Sequence, residues 1–406
     1  MMKSLGLIVE YNPFHNGHLY HLQQAKKQSQ AEVVIAVMSG NFLQRGEPAL
    51  VSKWTRAKMA LEAGIDLVVE LPYAFATQRA DRFAYGAVSI LDEMKCDEII
   101  FGSESGKIEP FLRTVDFLRE NEKEYNEWIQ RHVQSGISYP AAASKAFTEL
   151  PGRPDETVDL TKPNNILGYH YVSSIREIDS EMHIDTVQRT GAGYHEVDHG
   201  TDKIASATGI RKILFEGNGE LSKIDVLVPS TTYKGLKEHQ HEFGQFLGWE
   251  CYFEFLKHRL ISFSADELSE GYECVEGIQH RLKDQILHSE SFKSFLESVK
   301  TKRYTWTRLQ RLCTHILTNA NKEVMNKALR EQPTYIRLLG MSENGQKHLN
   351  TIKKKVELPI VSTLSKYSDD FMEMDIKATN TYILGFPSRF HTTLWKQEYS
   401  NPPIRI

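Results

Sequence analysis

Short apolar runs alternate with amphipathic stretches along the first 230 residues of this 406-residue chain. The apolar runs have the length and composition of buried strands, and they occur at residues 5–9, 33–38, 67–70, 98–101, 184–188 and 224–228. Stretches with helical spacing lie between them, including residues 19–28, 53–63, 80–94 and 108–134. The alternation predicts an α/β fold in which a parallel sheet carries helices on both faces.

The pattern changes after about residue 230. Leu, Phe and Glu recur at helical spacing in residues 235–299 and again in residues 305–329, and residues 333–341 then interrupt the pattern. No internal repeat or low-complexity linker separates the two regions. We therefore predict an α/β domain over residues 1–230 in firm contact with a mainly helical region over residues 231–406.

The overall composition, with 40% hydrophobic and 25% charged residues, is typical of a soluble globular protein. No apolar run approaches the roughly 18 residues that a membrane-spanning helix needs, so we expect no membrane partner. The four cysteines lie far apart in the sequence. This spacing predicts reduced thiols in a cytoplasmic protein that holds no structural zinc.

Charge is distributed unevenly, although the net charge is only −4. Residues 300–357 contain 13 Lys and Arg but 4 Asp and Glu, a net charge of +9, so the remaining residues carry −13. Such asymmetry predicts a basic face that binds a polyanion, and the alternative is a set of separate solvated helix faces. The candidate RNA-binding residues mix cations with aromatic rings that stack on unpaired bases, and they are Lys302, Arg303, Tyr304, Trp306, Arg308 and Arg311. In the alternative interpretation their aromatic rings belong to the core.

The most informative segment, His15-Asn16-Gly17-His18, joins the first predicted strand to the first predicted helix. A helix N-terminus offers free N–H groups and a positive dipole, and Gly17 lets a phosphate approach the backbone. His15 and His18 are candidate catalytic residues because two imidazoles can donate hydrogen bonds to charge that builds on an α-phosphate. The alternative is a pair of surface or capping histidines.

Further candidates follow the later predicted strands. Asn41, Arg45, Lys53 and Arg56 follow the second strand, and we expect them to bind a carboxylate or phosphate at the rim of the site. Gly102 follows the fourth strand, where a purine or ribose can lie against bare backbone. Ordinary surface charge is the alternative for the three cations, and a plain glycine turn is the alternative for Gly102.

Two more segments carry candidate nucleotide contacts. Asn165, after Lys162-Pro163-Asn164, offers a donor and an acceptor to a base edge or ribose, unless it only caps a helix. Arg189, ahead of Gly191 and Gly193, is a candidate phosphate clamp, unless the glycines mark only a flexible loop. A second anion site, or an ordinary capped helix start, is formed by Ser206, Thr208 and Arg211.

The chain lacks a Gly-x-x-x-x-Gly-Lys-Ser/Thr phosphate loop, a His-Glu-x-x-His motif and a clustered Cys/His set. We therefore expect Mg²⁺ to accompany the nucleotide phosphates, with no permanent metal and no organic cofactor.

The His-x-Gly-His turn and Ser-x-Thr-x-Ile-Arg resemble the nucleotidyltransferase superfamily, relatives of class I aminoacyl-tRNA synthetases with a Rossmann-like fold. Longer strings resemble the bacterial tRNA(Met) cytidine acetate ligase family more specifically. These strings are residues 9–18, 39–42, 44–48 and 162–165, Arg189 with residues 191–195, and residues 304–306. The resemblance covers nearly the whole chain.

The resemblance implies a ligase that makes acetyl-adenylate from ATP and acetate and transfers acetyl to N4 of the wobble cytidine of elongator tRNA(Met). It implies an ATP-binding catalytic domain over residues 1–230 and a tRNA-binding region over residues 231–406. The chain has no synthetase-type Lys-Met-Ser-Lys-Ser loop, so we expect Arg211 and the hydroxyls before it to take that role. The implied ATP contacts are Gly102, Asn165, Arg189 and the run Leu7, Ile8, Val9, Glu10, Tyr11, Asn12, Pro13, Phe14, His15, Asn16, Gly17, His18, Leu19, Tyr20 and His21.

Two other functions remain open at this level. A small-molecule nucleotidyltransferase that adenylylates a phosphorylated coenzyme precursor would use the same first domain, but it would not need a helical region with a segment of charge +9. A non-catalytic nucleotide- or tRNA-binding module would not need His15, Gly17 and His18 to be intact.

Overall fold

One mixed sheet runs through the part of the chain that the computed structural model describes, residues 2–189 and 204–406. Its strands are β1 Ser4–Val9, β2 Val33–Ser39, β3 Leu67–Leu71, β4 Glu98–Ser103, β5 His183–Gln188, β6 Ile336–Met341, β7 Ile360–Val361 and β8 Ile404–Arg405. The spatial order is β5-β4-β1-β2-β3-β6-β7, and β8 also pairs with β6.

The first five strands are parallel, and β1 is central among them, between β4 and β2. The strand order reverses at β1, so the crevice beyond the carboxyl ends of β1 and β4 is where ligands bind in such sheets. The predicted α/β fold with a parallel sheet is confirmed. The strand predicted at residues 224–228 is wrong: this segment forms turns, and its apolar Ile224 and Val228 pack in a core cluster with Ile210 and Leu214.

Helices cover both faces of the sheet. Those of the first 230 residues are α1 Asn16–Ser29, α2 Lys53–Glu62, α3 Tyr73–Ala76, α4 Ala80–Glu93, α5 Glu109–Glu120, α6 Glu122–Gln134, α7 Tyr139–Glu149, α8 Pro163–Glu177 and α9 Ala207–Glu216. The later ones are α10 Ser230–Phe243, α11 Phe253–Ser262, α12 Ala265–Ser269, α13 Ile278–Ile286, α14 Phe292–Val299, α15 Trp306–Thr318, α16 Lys322–Lys327, α17 Glu343–Ile352, α18 Asp370–Ile383 and α19 His391–Ser400.

The mainly helical C-terminal region also completes the sheet. Every residue of β6 is buried, and β6 runs antiparallel to β3. A single hydrophobic cluster contains Phe42 from the N-terminal region together with Tyr252 and Tyr382 from the C-terminal region. The two regions therefore share one core, and the division near residue 230 stays a prediction.

Lys53 lies in a buried ionic cluster that joins four elements. Its Nζ is 2.9 and 2.8 Å from the two carboxylate oxygens of Glu70 on β3 and 2.7 Å from Oε1 of Glu398 on α19. The guanidinium of Arg337 on β6 lies 3.6 Å from the same Glu398 oxygen. Lys53 was expected at the substrate rim, but it is only 1% exposed and has two carboxylate partners, so that interpretation is wrong.

Arg56 on α2 is fully buried and binds main-chain carbonyls instead of a ligand. It donates to Glu10 O at 2.7 Å, to Ser39 O at 3.0 Å and to Val51 O at 3.3 Å, and it also donates to Gly40 O. Glu10 follows β1, Ser39 is the last residue of β2, and Gly40 follows it. Arg56 therefore fixes the ends of two central strands, and its predicted place at the rim is wrong.

We expect Arg56→Met to lower the free energy of unfolding by about 3–5 kcal/mol, because it leaves buried carbonyls without donors. Lys58→Met is the matched control, since Lys58 lies on the same helix with a side chain that is 42% exposed, and it should change stability by less than about 0.5 kcal/mol. Urea denaturation monitored by circular dichroism measures both. Equal effects in the two variants would contradict the role given to Arg56.

Candidate active site

His15 and His18 hold each other's geometry at the start of α1. The Gly17 N–H donates to His15 Nδ1 at 3.0 Å, and the His15 N–H donates to His18 Nδ1 at 3.4 Å. The two rings stack with their centroids 3.8 Å apart. This is a reciprocal capping box built from two imidazoles. Because both Nδ1 atoms accept, a neutral ring carries its proton on Nε2 and can donate from there.

Both imidazoles are neutral near pH 7. Burial, followed by the charges of Arg189 and Arg211, lowers the pKa of His15 to about 4. Burial, followed by His15 and Arg189, lowers the pKa of His18 well below its ordinary value. The turn therefore offers uncharged donors, while the two arginines and the N-terminus of α1 supply positive potential.

Arg189 and Gly102 meet beside this turn, and the roles that the sequence predicts for them, a phosphate clamp and a surface for a purine or ribose, stay predictions. The Arg189 N–H donates to Ser103 O at 2.8 Å, which extends the ladder between β4 and β5. A Cβ at Gly102 would lie 3.1 Å from Arg189 Cγ, so the arginine stem passes directly over bare backbone. The glycines predicted to free this loop, within residues 190–203, lie outside the described residues.

The start of α9 faces the same turn. Arg211 donates to Asn12 O at 2.8 Å, to Glu47 Oε2 at 2.5 Å and to Thr208 Oγ1 at 3.4 Å. Ser206 caps the helix by accepting from the Gly209 N–H at 3.1 Å. The ordinary capping interpretation therefore applies to Ser206, while Arg211 is brought to the site.

Asn165 lies buried at the first turn of α8, above the end of β4. Its Nδ2 donates to Asp159 O at 3.1 Å, and its Oδ1 is buried without a hydrogen-bond partner among the described residues. A Cβ at Gly168 would lie 2.3 Å from the Phe101 ring, so α8 sits directly on β4. A buried unpaired carbonyl is costly unless a ligand N–H reaches it. Asn165 is therefore suited to accept from a purine amino group.

The other predicted ATP-binding residues fall into three groups. The side chains of Leu7, Tyr11 and Phe14 are buried and form the floor of the turn, with the Tyr11 and Phe14 ring centroids 4.6 Å apart. His21 lies one turn further along α1, and its buried Nε2 has no hydrogen-bond partner among the described residues. The rest of the run surrounds the turn, and it comprises Ile8, Val9, Glu10, Asn12, Pro13, Asn16, Gly17, Leu19 and Tyr20.

Arg45 is the exposed member of the predicted rim. Asn41 is buried: its Oδ1 accepts from the Lys53 N–H at 2.9 Å, and its Nδ2 donates to Thr379 at 3.3 Å. The predicted rim position of Asn41 is therefore wrong. Sequence reasoning gave no role to Glu47, which binds Arg211, because nothing local indicates a partner so distant along the chain.

The basic segment is partly internal. Arg311 is buried and forms a bidentate ion pair with Glu273, at 2.6 to 3.1 Å. Tyr304 is also buried, and its hydroxyl donates to Val275 O at 2.9 Å. The Tyr304 ring therefore belongs to the core, as the alternative interpretation states. Arg311 is not an exposed cation, so its predicted place on an RNA-binding surface is wrong. Lys302 and Arg303 are exposed, Trp306 is half-buried, and the half-buried Arg308 lies over the Tyr304 ring at 4.6 Å.

Helix α15 packs against the loop that carries Arg45. Gln310 Nε2 donates to Arg45 O at 2.9 Å, and Thr314 Oγ1 donates to Gly46 O at 2.7 Å. Gly46 has φ of +76°, and a Cβ there would lie 2.5 Å from Arg311 Cα, so only glycine fits. The basic segment therefore packs against the loop of residues 44–47, which we call the mouth of the phosphate site.

Two neutral imidazole donors at a helix N-terminus, with an arginine from each side, define a nucleotidyltransferase site at the switch point of the sheet. A family model described as HIGH Nucleotidyl Transferase matches residues 2–397. The tRNA(Met) cytidine acetate ligase of Geobacillus sp. (strain WCH70) is 47% identical over 99% of this chain and 100% of its own. That of Bacillus subtilis (strain 168) is 47% identical over 100% of this chain and 97% of its own. The chain belongs to this ligase family within the HIGH nucleotidyltransferases, as its motifs indicate.

A solved structure supports the same family. The crystal structure of Thermotoga maritima TmcAL bound with alpha-thio ATP is 35% identical, covers 100% of both chains and superimposes with a TM-score of 0.90. The apo form I of that protein gives the same values. Among residues 2–189 and 204–406, no helix has the length and apolar character needed to cross a membrane.

We expect the protein to lose stability as the pH falls from 6.5 towards 4. Between these values the unfolded chain binds protons that the folded chain does not, which costs up to about 1.4 kcal/mol per pH unit for each histidine. The buried carboxyl of Asp375, whose pKa is raised to about 8, and that of Glu10, whose pKa is also raised, have the opposite effect but are outnumbered. The histidines whose pKa is lowered from 6.5 to about 4 are His15, His21, His170, His239 and His315.

Urea unfolding at pH 7 and pH 5 measures this loss. The His170→Gln variant should depend less on pH than the wild-type protein, because it removes one of these groups. The His183→Gln variant should keep the wild-type dependence, since the His183 side chain is 70% exposed. A wild-type protein that is equally stable at both pH values would contradict the expectation.

Proposed function

We propose that this protein forms acetyl-adenylate from ATP and acetate and then transfers the acetyl group to N4 of the wobble cytidine of elongator tRNA(Met). The observation that carries this proposal is the convergence of the His15 and His18 donors with Arg189 and Arg211 at the N-terminus of α1. Full-length similarity to proteins named tRNA(Met) cytidine acetate ligase supports the acceptor and the carboxylate. The alpha-thio ATP in the Thermotoga maritima protein supports the nucleotide.

The first step takes place at the α-phosphate. An acetate oxygen attacks the α-phosphorus in line, and pyrophosphate leaves. The Nε2–H groups of His15 and His18 donate to the oxygens that gain charge, and Arg189 holds the leaving pyrophosphate. Gly102 leaves room for the Arg189 stem against β4, and the unpaired Oδ1 of Asn165 accepts from the adenine amino group. ATP enters as its Mg²⁺ complex, and the proposal requires no permanent metal or organic cofactor.

The tRNA lies across the basic segment of the C-terminal region. Lys302, Arg303 and Arg308 present cations to the RNA backbone, with the half-buried Trp306 beside them. Arg45, fastened to α15, continues this surface to the phosphate site. The proposal assigns tRNA binding to residues 231–406 and ATP binding with catalysis to residues 1–230. It also assigns the protein to the cytoplasm, because its proposed substrate is a tRNA.

We expect His18→Ala to slow acetate-dependent exchange of pyrophosphate into ATP about 10²- to 10³-fold, because one transition-state donor is lost. Acetylation of bulk tRNA with labelled acetate should fall by the same factor. The exposed His183→Gln variant serves as the control and should keep the wild-type rate.

Label in acid-stable cytidine supports the ligase. ATP consumption that needs a phosphorylated small molecule and ignores acetate would favour the coenzyme-type nucleotidyltransferase instead. Full activity of His18→Ala would refute the active-site assignment.

We expect Arg308→Ala to weaken tRNA binding and to reduce the slope of log affinity against log salt by about one, since one phosphate contact is lost. Arg131→Ala provides a matched control, because Arg131 is an exposed arginine on α6, at 63% exposure. Filter binding at several salt concentrations measures both variants. Identical affinity and slope for Arg308→Ala and the wild-type protein would contradict the RNA-binding role of this segment.

A further inference from the structure

The second step of the proposed reaction needs a proton acceptor. The N4 amine of cytidine gains a bond to the acetyl carbon in this step, so one of its two protons must leave to give the neutral amide. General bases placed within hydrogen-bond reach carry out such transfers in enzymes. The inference below rests on the proposed function and concerns this step alone.

The histidines of the site are unsuited to accept that proton. The Nδ1 lone pairs of His15 and His18 are already occupied by the N–H groups of Gly17 and His15. The pKa of His15 is lowered to about 4, which makes its imidazole a weak base. Both rings are arranged as donors, and a proton acceptor has to come from another group at the mouth.

Glu10 is the carboxylate that the fold places there. It follows the last residue of β1, and Arg56 holds its main-chain carbonyl at 2.7 Å. Its Oε1 accepts from the Gln44 N–H at 2.8 Å. Its Oε2 accepts no hydrogen bond from the described residues, whereas the neighbouring Glu47 is occupied by Arg211. One oxygen of Glu10 is thus fixed and the other is available.

The groups around Glu10 adjust its basicity. Arg45 and Glu47 face it from the loop after β2, Arg211 from α9, Arg56 from α2 and Tyr171 from α8. Burial and the Glu47 charge raise the pKa of Glu10, while the Gln44 N–H, Arg45 and Arg211 lower it, and the net direction is upward. A carboxylate whose pKa is raised is a stronger base than an ordinary exposed one.

We propose that Glu10 is the general base of acetyl transfer. The N4 lone pair attacks the acetyl carbonyl carbon, so a C–N bond forms. The C–O bond to the adenylate phosphate breaks, and AMP leaves with that electron pair. The proton lost from N4 passes to Oε2 of Glu10. The loop that anchors Oε1 also carries Arg45 and rests on α15, which brings the RNA-binding segment and the base to the same mouth.

The test separates the two steps in Glu10→Gln, which keeps the shape of the side chain and removes its basicity. Acetate-dependent pyrophosphate exchange reports the adenylation step in the same variant, and single-turnover transfer from preformed acetyl-adenylate to tRNA should fall at least about 10²-fold more than that exchange does. Glu127→Gln, an exposed change on α6, should leave both steps unchanged. The exchange reaction also reports that the variant is folded.

A second measurement is independent of that variant. The single-turnover transfer rate of the wild-type protein should rise with pH through a pKa above the ordinary glutamate value, and Glu10→Gln should lose this dependence. Glu10→Asp should restore part of the transfer rate together with the pH dependence, because it restores a carboxylate.

Three results would each overturn the inference. The first is a transfer rate in Glu10→Gln equal to that of the wild-type protein, and the second is an equal loss of rate in both steps. The third is a transfer rate of the wild-type protein that does not depend on pH. A wild-type protein without acetate-dependent exchange would refute the proposed function itself, which is a different result.

Discussion

Two main-chain N–H groups at the start of α1 decide what the site can do. By occupying Nδ1 of His15 and of His18, they leave each neutral imidazole with its proton on Nε2. The same geometry buries the rings beside two arginines, which keeps them uncharged. An α-phosphate at this turn therefore meets a set of fixed donors that needs no rearrangement as charge develops.

Buried cations fix the strands from which that turn emerges. Arg56 binds the carbonyls at the ends of β1 and β2, and Lys53 joins β3 to α19 through Glu70 and Glu398. Buried charges are costly unless they are fully paired, so each of these cations constrains the elements that supply its partners. The last helix of the chain is in this way bound to the first strands, and β6 extends the sheet beside them.

The helical region contacts the site through one short loop. Gly46 O accepts hydrogen bonds from Trp249 Nε1 at 2.9 Å and from Thr314 Oγ1 at 2.7 Å. Two residues earlier, the Gln44 N–H donates to Glu10. Within this loop, the residue that α15 binds and the residue that binds the Glu10 carboxylate are therefore only two positions apart. This proximity is what a protein that acylates a base of a large RNA requires.

The sequence by itself determined the parallel β/α pattern and the strand–turn–helix that carries His15, Gly17 and His18, because periodicity and turn chemistry act between near neighbours. It also indicated Gly102, Asn165, Arg189 and Arg211, which the fold brings to the same crevice. Only the tertiary structure decided that Lys53, Arg56 and Arg311 are internal, since their partners lie far away in the sequence. The tertiary structure also decided that residues 336–341 form a strand, because they pair with the free edge of β3. Burial and pairing of this kind depend on which distant segments meet, and no local pattern encodes that.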